Sequence, residues 1–529
     1  MEQQRKLPIG MQTFSQIIEG NYVYVDKTGL IPKVLNAGKA VFLSRPRRFG
    51  KSLFVSTLDA YFSGRKELFN GLDIAKDEIK MAEQEHREPW IKYPVINITF
   101  DANNYYSEEK LREKIIQNLK NCEEKYDCKG DESVDVDTRF GNLIKNLSEK
   151  TNLPVVILID EYDKALLQVI DNPELLETYK NILKGFYGNL KGSDQYIKFA
   201  FITGVTKFSK VSIFSDLNNL NDISMSDRYA DICGITKNEI IYAFQPEINA
   251  MAKKNNLSYS DCLSKLKEKY DGYHFTPKML DVYNSFCLLK AFEELDFGNY
   301  WFETATPTFL VKAIHQASFD MRGFEDGILI GRDDISDYRL SYANIVPMMY
   351  QTGYLTIKDY NPKYGICTLG YPNNEVKFAF SKKLLEEYTY LYENAPVLSY
   401  PVFASYVDMG QIDKFMTAVK AIFASIPHPT SQKQYELNYQ AIFYLIFKLM
   451  GQEMHTEVIT NIGRIDAVCE TKDYIYLFEF KLNGTVEDAL KQIEDKDYAC
   501  KYSASDKQIV KIGVAFSEEK RNIEEYKII

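Results

Sequence analysis

The sequence predicts a multidomain α/β protein: a parallel sheet flanked by helices at the N-terminal end, a helical middle, and a smaller α/β module at the C-terminal end. Three observations predict it. Short apolar runs alternate with helical stretches as far as about residue 230, the pattern of strands buried on both faces. One of those runs passes through Gly50-Lys51-Ser52 into an amphipathic segment. Near the other end, Tyr474–Lys481 has strand propensity, and period-two alternation puts Glu479 and Lys481 on one face.

Bulk properties limit the alternatives. A chain of 529 residues holds two to four domains. Its longest apolar runs are a few residues, so no membrane-spanning segment is expected. The first residues lack the apolar core of an export signal, and eight cysteines are scattered without a Cys-x-x-Cys pair. With only five histidines, this points to reduced thiols in the cytoplasm and away from zinc. The net charge of −10 is not that of a protein that coats nucleic acid. Locally the balance reverses: the first sixty residues carry nine Lys or Arg against four Asp or Glu, and Arg45, Arg47, Arg48 and Lys51 share one loop. That loop suits polyphosphate.

Candidate strands of the first sheet are Val41–Ser44, Val95–Phe100, Val155–Asp160 and Phe199–Gly204. After the first comes Arg45-Pro46-Arg47-Arg48-Phe49-Gly50-Lys51-Ser52, then the helical Leu53–Phe62. Strand, loop and helix in that order make an anion site, because loop amides and the helix N-terminus point at phosphate. Lys51 then reaches the β- and γ-phosphates of ATP and Ser52 holds Mg²⁺, with Gly50 and Arg45 in the cradle. Arg45 stands where the Gly-x-x-x-x-Gly-Lys-Ser/Thr pattern has its first glycine, and its side chain is expected to narrow the loop. A basic surface turn is the plain alternative.

The run Pro154–Ile159 ends in Asp160 and Glu161. Asp160 is placed to hold Mg²⁺ and Glu161 to activate a water, at the end of a strand adjacent to that of Lys51. A solvated acidic turn gives the same pattern. Thr203, ending the fourth strand, is a candidate γ-phosphate sensor or a plain strand end. Arg228 is a candidate arginine finger or a surface ion pair.

These segments resemble a known family. Tyr24-Val25-Asp26-Lys27-Thr28, Arg45–Ser52, Leu158-Ile159-Asp160-Glu161-Tyr162-Asp163 and Thr203–Ser209 look like the bacterial AAA-ATPase-like proteins. In these a P-loop NTPase module precedes a PD-(D/E)XK restriction-endonuclease-like module. Tyr270–Phe275, Tyr300–Thr304 and Gln351–Leu355 resemble the same family's linking region, so the likeness spans nearly the whole chain. The family itself has Arg at the position of Arg45.

The C-terminal motif also reads without the family. Asp466 lies thirteen residues before Glu479, on a segment suited to a neighbouring strand. A phosphodiesterase needs carboxylates for Mg²⁺ or Mn²⁺ and a cation beside them. Asp466 and Glu479 supply the first and Lys481 the second. Ile465 stands where the motif's name has proline. Upstream, Glu436 matches an extra acidic position. Downstream, Gln492 and Tyr498 match a Gln-x(5)-Tyr helix that orients the lysine or contacts phosphate.

The middle is read as a helical region opened by a Thr236–Glu239 capping box. A hairpin, Tyr354–Asp359 with Ile366–Gly370, follows. Together with Asp337–Tyr354 it suits a winged helix, which serves either DNA contact or protein docking. The expected division is residues 1–232 as ATPase core, 233–298 as lid, 299–394 as linking region and 395–529 as nuclease-like module. The function expected is an ATPase that regulates a metal-dependent endo- or exodeoxyribonuclease, in defence or mobile-element biology. DNA is the expected partner, and self-association is left open. The alternatives are a signalling or sensor ATPase with a non-cutting nuclease-like module, and a scaffold with both sites inactive.

Overall fold

The computed structural model describes residues 5–101, 104–207, 213–214, 217, 219–301, 310, 324, 327–336, 345–389, 400–424, 435–451, 453–459, 464–520 and 522–529. The chain divides into two compact units. One contains Met1–Phe309 and Arg322–Lys377, the other Leu310–Met321 and Phe378–Ile529.

The first unit is built on five parallel strands: β1 (Ala40–Ser44), β2 (Val95–Thr99), β3 (Val155–Asp160), β4 (Ile197–Gly204) and β5 (Leu220–Asp222). They lie in the order β2-β3-β4-β1-β5. Every residue of β3 is buried, as its unbroken Val-Val-Ile-Leu-Ile run requires of a strand covered on both faces. Each such aliphatic side chain contributes about 1.5–3 kcal/mol on burial. β4 lies between β1 and β3, so Lys51 and Asp160 follow strands that are not neighbours, contrary to expectation. β5 was not foreseen, because its Leu-Asn-Asp sequence has no apolar run; it pairs with β1 at the sheet edge.

The capping box is present. The Thr236 hydroxyl accepts from the Glu239 amide, and the Glu239 carboxylate accepts from the Thr236 amide, at the start of the helix Lys237–Ala243. Glu239 also pairs with Lys27 at 2.6 Å, tying this helix to the N-terminal segment. The helices Gln245–Lys254, Tyr259–Tyr270 and Ser285–Glu294 follow. Between them runs the two-stranded ribbon of β6 (Ile235–Thr236) and β7 (Val282–Tyr283).

β8 (Ile328–Gly331), the helix Ile345–Thr352, β9 (Thr356–Asn361) and β10 (Ile366–Gly370) come next. The three strands form an antiparallel sheet in the order β8-β10-β9, so the expected hairpin is there. Residues 337–344 of the expected winged segment lie outside the described residues. The helix Ile345–Thr352 is buried along nearly its whole length and carries no Lys or Arg. Its Gln351 accepts from the Lys207 amide just beyond β4, at 2.9 Å, and Gly353 sits against Pro46 of the phosphate loop. Lys358 on β9 is exposed, and its ammonium donates to the Pro372 carbonyl at 3.1 Å.

In the second unit the helices Tyr400–Asp408, Ile412–Ala424 and Tyr435–Leu449 precede a five-stranded mixed sheet. Its strands are β11 (Glu453–Ile459), β12 (Arg464–Glu470), β13 (Tyr474–Leu482), β14 (Gln508–Ser517) and β15 (Asn522–Ile528), in sequential order. β12 and β13 are antiparallel, with Ala467 opposite Phe478, and β13 and β14 are parallel. The helix Val486–Asp495 makes the crossover and buries Leu490 and Ile493 against Ile465, Val468, Ile475 and Leu477. No helix among the described residues is long and apolar enough to cross a membrane, and all eight cysteines are unpaired.

Candidate functional site

The phosphate loop joins β1 to the helix Lys51–Phe62, whose N-cap Gly50 has φ 92°, the left-handed region where glycine costs least. Lys51 is buried and donates to the carbonyls of Arg45 and Pro46, both at 2.9 Å, so its ammonium sits inside the loop. Burial pulls its pKa down, while Asp160 opposes that shift. Burial pushes the Asp160 pKa up, and the nearby Ser52 hydroxyl opposes that shift. Ser52 and Asp160 therefore lie near one another, as a hydroxyl and a carboxylate that share a hydrated Mg²⁺ must.

A cavity of about 490 Å³ opens beside the loop. Its walls include Arg48, Lys51, Ser52, Glu161, Phe244 and Phe286, a mixture of cations, acid and apolar rings that suits a nucleotide. Glu161 faces it with φ 51° and pairs with Lys164 at 3.0 Å.

Two residues expected here do something else. Arg45 turns away from the cavity. Its guanidinium donates to Ser44 O at 2.9 Å, Ser224 O at 2.7 Å and Tyr229 O at 3.0 Å, and stacks over the Phe275 ring at 4.5 Å. It does not narrow the loop; it braces the loop's outer side against residues 224–229. Thr203 is fully buried and donates its hydroxyl to Leu43 O at 2.7 Å, so it ties β4 to β1 and is not among the cavity-lining residues. Arg228 is exposed. Restoring the usual glycine with Arg45→Gly should therefore destabilise the fold. A charged donor to buried carbonyls contributes about 1.5–3 kcal/mol, and thermal denaturation measures the loss.

Asp163 was missed. It borders the cavity, is buried, and accepts from the amides of Val205 and Thr206 and from the Thr206 hydroxyl. Burial pushes its pKa up. Its sequence signal was its place at the end of the Leu158–Asp163 segment, three residues after Asp160.

In the second unit, Glu479 is 1% exposed on β13. Its Oε1 accepts from Lys481 Nζ at 3.0 Å, while its Oε2 is buried without a hydrogen-bond partner. Asp466 Oδ2 accepts from the Phe480 amide at 2.8 Å, which brings the second carboxylate to the residue beside Glu479. Burial first, and then the Asp466 charge, push the Glu479 pKa up to about 7. Lys481 also donates to Gln492 Oε1 at 2.6 Å. Gln492 Nε2 donates to the Tyr498 hydroxyl at 3.4 Å, and that hydroxyl donates to Arg464 O at 2.6 Å, closing a chain back to β12. Asp466, Glu479, Lys481, Gln492 and Tyr498 thus form one connected centre. Glu436 lies on the helix Tyr435–Leu449, but its side chain is outside the described residues.

An orphaned carboxylate oxygen beside a second carboxylate fits a hard divalent cation with oxygen ligands such as Mg²⁺. Among the described residues no third His, Cys, Asp or Glu joins the two carboxylates.

Comparison with known proteins finds a family match over each of the two modules. Residues 8–214 match the model of the predicted AAA-ATPase family, and residues 434–526 match that of the PD-(D/E)XK nuclease superfamily. An uncharacterized protein in the vnfD 5′ region of Azotobacter chroococcum mcd 1 is 36% identical over 537 residues, covering 98% of each chain. Among solved structures, Cdc6p from Pyrobaculum aerophilum aligns over 73% of this chain and 96% of its own, at 12% identity and a TM-score of 0.24. The Aeropyrum pernix ORC2 protein aligns over 70% and 98%, at 11% identity and a TM-score of 0.20. Scores that low carry no argument; the fold rests on strand order and the family models. The chain belongs to the AAA-ATPase-like family, with a PD-(D/E)XK nuclease-superfamily module at its C-terminal end.

Proposed function

We propose that the protein binds and hydrolyses Mg-ATP at the Lys51 site and uses that cycle to regulate metal-dependent cleavage or processing of DNA at the Asp466 site. The observation that carries the reading is the connected Asp466–Glu479–Lys481–Gln492–Tyr498 centre. A module kept only for docking has no need of a buried carboxylate, an adjacent lysine and two groups that aim the lysine.

In the ATP site, Lys51 would neutralise the β- and γ-phosphates, and Ser52 with Asp160 would hold the cation. Glu161, released from Lys164, would orient a water. In the second site, Asp466 and Glu479 would hold a divalent ion, which when bound supplies Lewis-acid polarisation of the scissile phosphate. Lys481 would sit beside the developing negative charge, and Gln492, anchored through Tyr498, would fix its direction. The hydrogen bonds Thr206 to Asp163 and Lys207 to Gln351 would carry the state of the nucleotide site to the middle region.

The test is incubation of purified protein with linear, nicked and single-stranded DNA, and with RNA, with and without ATP and with Mg²⁺ or Mn²⁺. ATP-dependent cutting of DNA supports the reading. ATP turnover with no cutting of any substrate replaces it with the sensor alternative.

One observation bears on the middle region. The buried, uncharged helix Ile345–Thr352 favours docking against the ATPase core over reading of DNA. Charge reversal of exposed Lys363 is therefore expected to leave DNA affinity within about twofold and its salt slope unchanged, whereas a phosphate contact would reduce the slope by about one unit.

A further inference from the structure

We infer that Arg48 is a triphosphate-sensing residue, parked on the Phe286 ring and transferred to the terminal phosphate when ATP binds. The inference deepens the Mg-ATP reading and rests on it. Three observations carry it.

The first is conformational. Arg48 has φ 69°, the left-handed region, where a non-glycine residue bears a cost that glycine would not. Strain of this kind persists where a side chain has work to do. Four residues before Ser52, a glycine would shape the same turn without a side chain.

The second is location. Arg48 is exposed, yet it lines the same cavity as Lys51, Ser52 and Glu161. Among the described residues it makes no ion pair, unlike Lys27 and Lys164 nearby, which are held by Glu239 and Glu161. Its charge is thus available to a phosphate.

The third is its present contact. The guanidinium lies 4.3 Å from the centroid of the Phe286 ring. Phe286 is in the first turn of the helix Ser285–Glu294, held there because the Asn284 side chain accepts from the Phe286 and Cys287 amides. Ser285, Phe286 and Leu289 of that helix face the cavity, and none is cationic. The helix offers the nucleotide an aromatic face and no charge, so the cation on this side must come from the loop. A ring holds a guanidinium weakly at an exposed site, whereas a phosphate oxygen holds it through charge-assisted hydrogen bonds. Binding of the third phosphate would draw Arg48 off the ring and so report the nucleotide to the helix. ADP, lacking that phosphate, would leave it parked.

The test is calorimetric titration of the full-length protein with ATP and with ADP in the presence of Mg²⁺, comparing wild type, Arg48→Gly and Phe286→Leu. Arg48→Gly relieves the left-handed backbone, so its melting temperature should match or exceed that of wild type. Its ATP affinity should nevertheless fall about tenfold or more, the scale of hydrogen bonds to a charged group, with ADP affinity within about threefold. Phe286→Leu removes the parking site and should tighten ATP about twofold to fivefold. Wild-type discrimination between ATP and ADP in Arg48→Gly, or equal loss of both, overturns the inference. Weaker ATP binding by Phe286→Leu also overturns it, because the ring would then be a nucleotide contact. Failure of wild type to bind Mg-ATP overturns the ATP reading and this inference together.

Discussion

Lys51→Ala is expected to remove Mg-ATP binding, whereas Glu161→Gln should keep binding and lose turnover. Lys51 is buried in the loop with its ammonium on the Arg45 and Pro46 carbonyls. Charge-assisted hydrogen bonds to two phosphates set the expected loss at about a hundredfold or more in affinity. Glu161→Gln keeps shape and removes basicity, so binding should change by less than about threefold while turnover falls about 10²–10⁴-fold. A melting series separates the two variants. At a nucleotide concentration a hundred times its dissociation constant, a binding-competent protein gains about 2.7 kcal/mol, and Lys51→Ala should gain nothing. An equal nucleotide-induced gain in wild type and Lys51→Ala would remove the phosphate loop from the argument.

The parts of this site that were legible in the sequence share a cause: each is written in residues close together in the chain. The Val155–Asp160 run, the Gly50-Lys51-Ser52 turn and the Thr236–Glu239 box depend on local periodicity and capping, and the chain folds there as its local pattern dictates. Alternation alone put Glu479 and Lys481 on one face, and they meet at 3.0 Å. What could not be read depends on partners far along the chain. The direction of Arg45 is set by carbonyls of Ser224 and Tyr229. The use of Thr203 is set by Leu43, on a strand that only the sheet order makes its neighbour. Arg48 and Phe286 meet only because the helix after β7 folds back over the loop.

The second large effect concerns the Asp466 centre and has a pH signature. Glu479 has its pKa raised to about 7 by burial and by Asp466. In the unfolded chain a glutamate titrates near 4.3. A carboxyl whose folded pKa is raised favours the fold fully while protonated in both states. That contribution declines from about pH 4.3 upward and is gone above about pH 7, because over this window the folded state binds more protons. Metal-free protein should therefore lose stability between those values, and Glu479→Gln, neutral throughout, should lack that part of the decline. Metal binding requires the carboxylate, so Mg²⁺ or Mn²⁺ should raise the melting temperature more at pH 8 than at pH 6, and by little in Glu479→Gln. Lys481→Ala should spare much of this metal response, because the ammonium is no metal ligand. It should still remove cutting, along with Asp466→Ala, by about two orders of magnitude or more. Gln492→Ala should fall between, since Lys481 would keep its 3.0 Å bond to Glu479 and lose only the 2.6 Å bond that aims it. ATP turnover should survive all four changes, because the Lys51 site is made wholly from the first unit. Cleavage that persists in Asp466→Ala would assign the activity to other residues. A metal-induced stabilisation that is equal at pH 6 and pH 8 would place the metal away from Glu479.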